Sequence, residues 1–238
     1  MKRILALSSS TIAIVLFFSL QTSLTSCQKE TVIIHDTVCV CKKPDTLTLT
    51  LQPATSPTEM IYFGYNTHTH DESNAVPPEL DAGAWTTGGL PINIRSMFKF
   101  DLSSIPANSK IVRAKLTLFG NPTPLNGDHV TANYGTDNSF YIRRVSGSWN
   151  ITDNAKWTAQ PATTTTDQIL IPHTSAPVGD LVDVDVVKLV QEMVNGSNNN
   201  NGFQIQLKNE VYYNIRGFCS SRSTNAAKHP KLVVEYEK

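Results

Sequence analysis

The sequence has no surplus of charge: 20 lysines and arginines stand against 20 aspartates and glutamates in 238 residues. It therefore lacks the basic stripe that nucleic acid requires, and nucleic acid is excluded as a partner. An acidic polymer would have to be met by a local patch, not by the field of the whole molecule. Beyond residue 20 no apolar run approaches the roughly 18 residues of a membrane span. Catalytic signatures are also missing. There is no nucleophile elbow, zinc helix or phosphate loop. Asp183 and Asp185 share one side of "LVDVDV", but they read as the outward half of a strand. A lyase would need a base set in a cleft, and no Tyr, His or Lys is singled out for that role. The reading is a protein that is not an enzyme.

What is present begins with an address. Lys2 and Arg3 precede the apolar run "ILALSSSTIAIVLFFSL", which are the parts of a secretory signal. Leu24-Thr25-Ser26-Cys27 resembles a bacterial lipobox, which implies cleavage before Cys27 and acylation of its thiol and amine. The following "QKE" resembles the export tags of Bacteroidetes surface lipoproteins. Residues 1–26 are thus read as a lipoprotein signal peptide, and residues 27–45 as a flexible lipidated tether ending near Pro44. Several acyl chains on Cys27 would hold the protein on a membrane, since each buried CH₂ contributes about 0.8 kcal/mol. The expected location is the outer membrane or cell surface. Loss of Lys2 and Arg3 leaves 18 basic residues against 20 acidic ones. Cys39, Cys41 and Cys219 then remain, an odd number, so at least one thiol is free or paired between chains. Cys219, in the apolar-flanked "GFCSS", is expected to be a buried free thiol.

From Leu47 onward short alternating runs dominate, with turn residues between them. "TLTLTLQP" sets leucines against threonines. "INIRSMFKFDL" places Ile94, Phe98 and Phe100 on one side, with an irregularity near Ser96. In "KIVRAKLTLFG", Val112, Ala114, Leu116 and Leu118 are expected to point inward, and Arg113, Lys115 and Thr117 outward. "GFQIQLK" sets Phe203, Ile205 and Leu207 against Gln204, Gln206 and Lys208. One segment breaks the period. "VVKLVQEMVNG" repeats apolar residues at four-residue steps and stops at Gly196, which predicts a short amphipathic helix. About nine half-buried strands point to an all-β fold over residues 46–238, a jelly-roll-like antiparallel β-sandwich with one short α-helix.

Three blocks carry a family resemblance. "RSMFKFDLSSIPANSKIVRAKLTLFG" (95–120) resembles the opening of DNRLRE-type domains. "YIRRVSGSWNITDNAKWTAQPATTTT" (141–166) resembles their second block, in which two tryptophans and a proline recur. "VDVDVVKLVQEMVN" with the segment up to "KLVVEY" resembles the third. The early loop "LDAGAWTTGG" is similar to one in Bacteroidetes members. Such domains are associated with a carbohydrate-binding module family and with large surface proteins. The resemblance implies a β-sandwich and, for some members, binding of polysaccharide, including acidic polysaccharide. The name-giving motif is degenerate here, since "RGFCSSRST" lacks the acidic residue after its serines.

Glycan contacts are sought among aromatics and guanidinium groups, because rings stack on sugars and guanidinium forks match carboxylates. Trp149 and Trp157 are read as structural rings that fold a loop back over the sheet. Trp85, in a loop of small residues, is the expected contact. Arg113 and Lys115 on one strand, Arg143 on another and Arg216 on a late strand are the basic candidates. In "YNTHTHDESN", His68, His70, Asp71 and Glu72 have metal-like density but no further ligands at a fitting spacing. No cofactor is expected. Calcium is compatible with such sandwich loops, with no ligands that the spacing names. The leading function is non-catalytic polysaccharide binding. The alternative is a structural or adhesive surface domain with an unidentified protein partner. An exposed aromatic–arginine cluster would favour the first, and a smooth polar sandwich the second.

Overall fold

Alternation and turn chemistry account for most of the chain. A computed structural model describes residues 45–53, 59–65, 71–74, 77–124, 131–153, 156–196 and 199–238. The signal segment, Cys27, Cys39, Cys41, the tether as far as Pro44, and His68 and His70 lie outside the described residues. Among them run thirteen strands: β1 (Thr46–Leu51), β2 (Glu59–Tyr65), β3 (Asp71–Asn74), β4 (Glu79–Thr87), β5 (Leu90–Phe98), β6 (Lys110–Leu118), β7 (Asn133–Tyr134), β8 (Phe140–Val145), β9 (Thr163–Ile171), β10 (Leu181–Asp185), β11 (Phe203–Leu207), β12 (Asn214–Cys219) and β13 (Lys231–Glu237). Helix α1 (Val187–Val194) and 3₁₀ turns at Trp157–Ala159 and Ala226–Lys228 complete the set.

Two antiparallel sheets form a sandwich-like arrangement. One has four strands in the order β1-β13-β6-β10. The other runs β7-β12-β4-β5-β11-β8-β9, with β2 paired to β5 and β3 to β2. β4 and β5 are joined by Gly88 and Gly89, both at positive φ (56° and 79°), as a two-residue hairpin of the twist-matched kind requires. The segment read as a loop around Trp85 is therefore a strand. Small residues give it that look: Ala82, Gly83 and Ala84 leave room for close packing, and a Cβ on Gly83 would lie 2.9 Å from Ile215.

The core fills from alternating positions. Leu80, Phe98, Phe140, Phe203, Ile205, Leu207 and Phe218 of the larger sheet meet Ala114, Leu116, Leu118, Leu232 and Val234 of the smaller. Each fully buried large apolar side chain contributes about 1.5–3 kcal/mol. Helix α1 adds Leu189, Val190, Met193 and Val194 from one side. Its Gln191 reaches β6, accepting from the Ile111 N–H at 2.8 Å and donating to the Ser109 carbonyl at 3.0 Å.

Two irregularities matter. β5 changes partner at Ser96: it pairs with β4 over Leu90–Ile94 and with β11 over Ser96–Phe98. Where the β4 ladder stops, Ser96 Oγ accepts from the Asp81 N–H (2.7 Å) and donates to the Asp81 carbonyl (2.9 Å). In the smaller sheet a register shift falls between Glu235 and Tyr236 opposite β6. It turns the start of β6 over: Ile111 is buried and Val112 is 45% exposed, the reverse of strict alternation. A bulge of this kind adds a residue to one strand and breaks the period.

Candidate functional site

The outward surface of β8 and β11 is built by the alternation that buries their other side. With Phe140 and Ile142 in the core, Tyr141 and Arg143 face out; with Phe203, Ile205 and Leu207 inside, Gln206 faces out, while Gln204, expected to do the same, is only 3% exposed, with Gln160 against it. Register sets Gln204 opposite Arg143 and Gln206 opposite Tyr141. Arg143 donates through Nε to Gln168 Oε1 of β9 (2.8 Å) and through Nη1 to Gln206 Oε1 (3.1 Å). Its guanidinium carbon lies 5.0 Å from the Tyr141 ring centre. Among the described residues no carboxylate is ion-paired with Arg143. A guanidinium has five donors; two are used here, on neutral amide oxygens, and the charge is not compensated. Such a fork suits a carboxylate.

Beside this row, residues 146–153 and 156–162 fold back over the sheet. Both the Ser146 and Gly147 N–H groups bond the Ala162 carbonyl (2.8 and 3.1 Å). Trp149 is buried on Met97 and Val145, and its indole N–H reaches the Asn201 carbonyl at 2.8 Å. Trp157 is half-buried against the same cluster. Arg95 covers one side of its ring at 4.5 Å and is held by Glu210 through two bonds of 2.7 and 2.8 Å. That charge is matched, unlike the one on Arg143. Gln160 continues the polar row, accepting from Gln204 Nε2 at 3.3 Å.

The other nominated residues are elsewhere. Arg113 and Lys115 lie on the smaller sheet, paired to Glu235 (2.8 Å) and Asp185 (3.0 Å); with Lys110–Glu237 they form a self-neutralising face. Asp185 is held below the usual carboxylate range by the Val187 N–H and by Lys115. Arg216 is not a surface residue. It is 5% exposed, its guanidinium is flanked by Phe140 (5.3 Å) and Phe218 (5.7 Å), and it donates to the Pro172 carbonyl at 3.3 Å. Residue 216 points inward because its neighbours in the ladder do. Trp85 is 6% exposed, packed on Ile92, Ile94 and Ile215, with Tyr134 and Tyr213 edge-on at 5.5 and 5.1 Å. The ring expected to meet solvent is a floor, and the two tyrosines packed on it are exposed.

Cys219, Ser220 and Ser221 also turn inward, while Arg222 is exposed. Ser221 donates from its N–H (3.0 Å) and its hydroxyl (2.7 Å) to the buried Glu59 carboxylate. Cys219 is a buried free thiol, and burial pushes its pKa up. Among the described residues no three His, Cys, Asp or Glu side chains are placed to hold a metal ion. A family model described as carbohydrate-binding module family 96 matches residues 83–236. No curated protein matches the chain.

Proposed function

Because the chain belongs to carbohydrate-binding module family 96, we propose that it is a non-catalytic glycan receptor for acidic polysaccharide, carried on a surface lipoprotein. The observation that carries the acidic preference is Arg143: a cation oriented by Gln168 and Gln206, beside an aromatic ring, with no carboxylate paired to it among the described residues. A uronate carboxylate would take the remaining donors while a sugar ring rests on Tyr141 and the amide row. Hydrogen bonds to a charged group contribute about 1.5–3 kcal/mol, so Arg143→Gln should weaken binding by roughly 10- to 100-fold. Solvent-exposed charge pairing is screened by salt, so binding should fall as ionic strength rises. Arg113→Gln and Lys115→Gln should change nothing, because those charges are already paired.

The test is affinity electrophoresis in gels containing polygalacturonate, on wild type and the three variants, at two salt concentrations. Equal retention of wild type and Arg143→Gln refutes the site. No retention on any acidic polymer refutes the preference and returns the choice to an adhesive domain with a protein partner. The anchor is argued from Leu24-Thr25-Ser26-Cys27. Cys27→Ala should move the protein from the membrane fraction to the soluble one, and its staying in the membrane would refute lipidation there.

A further inference from the structure

We infer that the domain carries a second sugar-contact surface, built by Tyr134 and Tyr213 over Trp85, that takes uncharged pyranose rings; this rests on the carbohydrate-binding reading but not on Arg143. It lies apart from the Arg95–Trp157 cluster. Ile92 and Ile94 of β5 pack with Trp85, whereas Arg95 and Met97, at alternate positions, serve the Trp157 side, and successive strand residues point to opposite faces.

The two tyrosines are each 50% exposed, while the indole between them is buried. Both meet Trp85 edge-on, at 71° and 90°, an orientation that aromatic pairs favour. They come from different parts of the chain, and one buried side chain ties them together. Asn214 accepts from the Asp137 N–H (2.8 Å) through Oδ1 and donates to the Val211 carbonyl (2.9 Å) through Nδ2. Gly135, next to Tyr134, sits at φ 103°, where a Cβ would lie 2.1 Å from Asn214 Oδ1 and 2.4 Å from the Tyr213 carbonyl. Tyr213 itself is held at φ 62°, with its N–H on the Ala84 carbonyl at 2.9 Å. A bulky residue in the left-handed region is a real outlier, and such strain collects where a side chain must be presented. The rings are thus fixed before any ligand arrives, which lowers the ordering cost of binding. Tyrosine adds large rigid contact area at small entropic cost.

Charge decides the ligand. Among the described residues no cation sits over the Tyr134 or Tyr213 ring; their cation–ring contacts are all at other aromatics. Among the described residues no cation on these rings would draw a carboxylate, whereas their faces and hydroxyls suit the apolar face and rim of a neutral hexose. One polymer carrying both neutral and acidic sugars could engage both surfaces.

The experiment uses the full chain with Cys27→Ala, by affinity electrophoresis on soluble β-glucan, xyloglucan and galactomannan beside polygalacturonate. Tyr134→Ala and Tyr213→Ala should each lose at least tenfold of the affinity for an uncharged polymer, at low and high salt alike. They should keep their retention on polygalacturonate, and Tyr213→Phe, which keeps the ring face, should lose less affinity for the uncharged polymer than Tyr213→Ala. Should either alanine variant unfold, wild type labelled with 3-fluorotyrosine gives the same answer: the Tyr134 and Tyr213 resonances shift saturably with the uncharged polymer. Retention of wild type on polygalacturonate but on no uncharged polymer overturns this inference and leaves the acidic site standing. So does an uncharged polymer that leaves both resonances unmoved. Retention on neither kind of polymer overturns both.

Discussion

Arg216→Met should leave the domain as stable as wild type or more so, although it removes a side chain buried at the heart of the fold. Burial pushes the Arg216 guanidinium down to about 10. One pKa unit is worth about 1.4 kcal/mol, so the displacement from the ordinary arginine value corresponds to about 3 kcal/mol against the charged form. Its Nε has no hydrogen-bond partner among the described residues, a further cost. Against this stand two ring contacts at 5.3 and 5.7 Å, each contributing about 0.5–1 kcal/mol, and one 3.3 Å bond to the Pro172 carbonyl, contributing about 1 kcal/mol. Methionine keeps most of the volume and adapts its shape. A net gain of about 1 kcal/mol is expected, since buried ions are often replaced by apolar groups without loss. Urea unfolding at pH 7 should show a midpoint at or above that of wild type with an unchanged slope. The folded state holds its Arg216 proton less tightly than the unfolded state, so wild type gains stability as pH rises through about 10. The variant lacks this gain, so its advantage shrinks there. A loss of more than about 2 kcal/mol at pH 7, or a gap that does not narrow at high pH, would show that the rings and the carbonyl outweigh desolvation.

Trp149→Phe should cost about 1–3 kcal/mol in urea unfolding, because the Asn201 carbonyl loses a buried donor; no loss would make the indole N–H irrelevant to the loop. Gly135→Ala meets both a left-handed φ and the Asn214 side chain, and should lower stability by more than about 2 kcal/mol; a neutral result would refute the clamp. Glu59 has its pKa raised by burial, so the folded state binds its proton more tightly than the unfolded one. Wild type should therefore lose stability relative to Glu59→Gln as pH rises from about 4.5 upward, and a gap that stays constant over that rise contradicts the assignment.

Much of the fold is legible because period-2 alternation is a local signal. "TLTLTL" pairs residue by residue with β13, "GFQIQLK" buries Phe203, Ile205 and Leu207, and the four-residue steps of "VVKLVQEMV" mark the helix at Val187–Val194. The irregularity at Ser96 was visible, but its cause, a change of partner strand, was not. The misses share one origin. Whether Val112 or Ile111 is inside depends on the bulge that leaves Val112 unpaired opposite Glu235 and Tyr236 of β13, more than a hundred residues away in the chain. Whether Arg216 faces water or the core depends on which side of β12 meets Phe140. Composition made Trp85 look uncovered, since Ile92, Ile94 and Ile215 reach it only through pairing. The site suffered most: Gln168, Gln206 and Arg143 come from three strands, and Tyr134 of β7 is brought to Tyr213, just before β12, through Asn214. The sequence marked Arg143, but nothing local told it from Arg113, because the difference lies in who sits across the ladder.

The place of β13 between β1 and β6 has a consequence for how the chain is made. The earliest strand of the domain has the latest as its partner in the ladder, and the smaller sheet has no interior until Lys231–Glu237 is free. A chain emerging from its N-terminal end can form the β4–β5 hairpin early, yet β1 must wait for nearly all the rest. Closure of the second layer is therefore a terminal event in time as well as in sequence. A cut at Pro230 would leave β1 and β6 as two orphaned edges, not a sandwich one strand short.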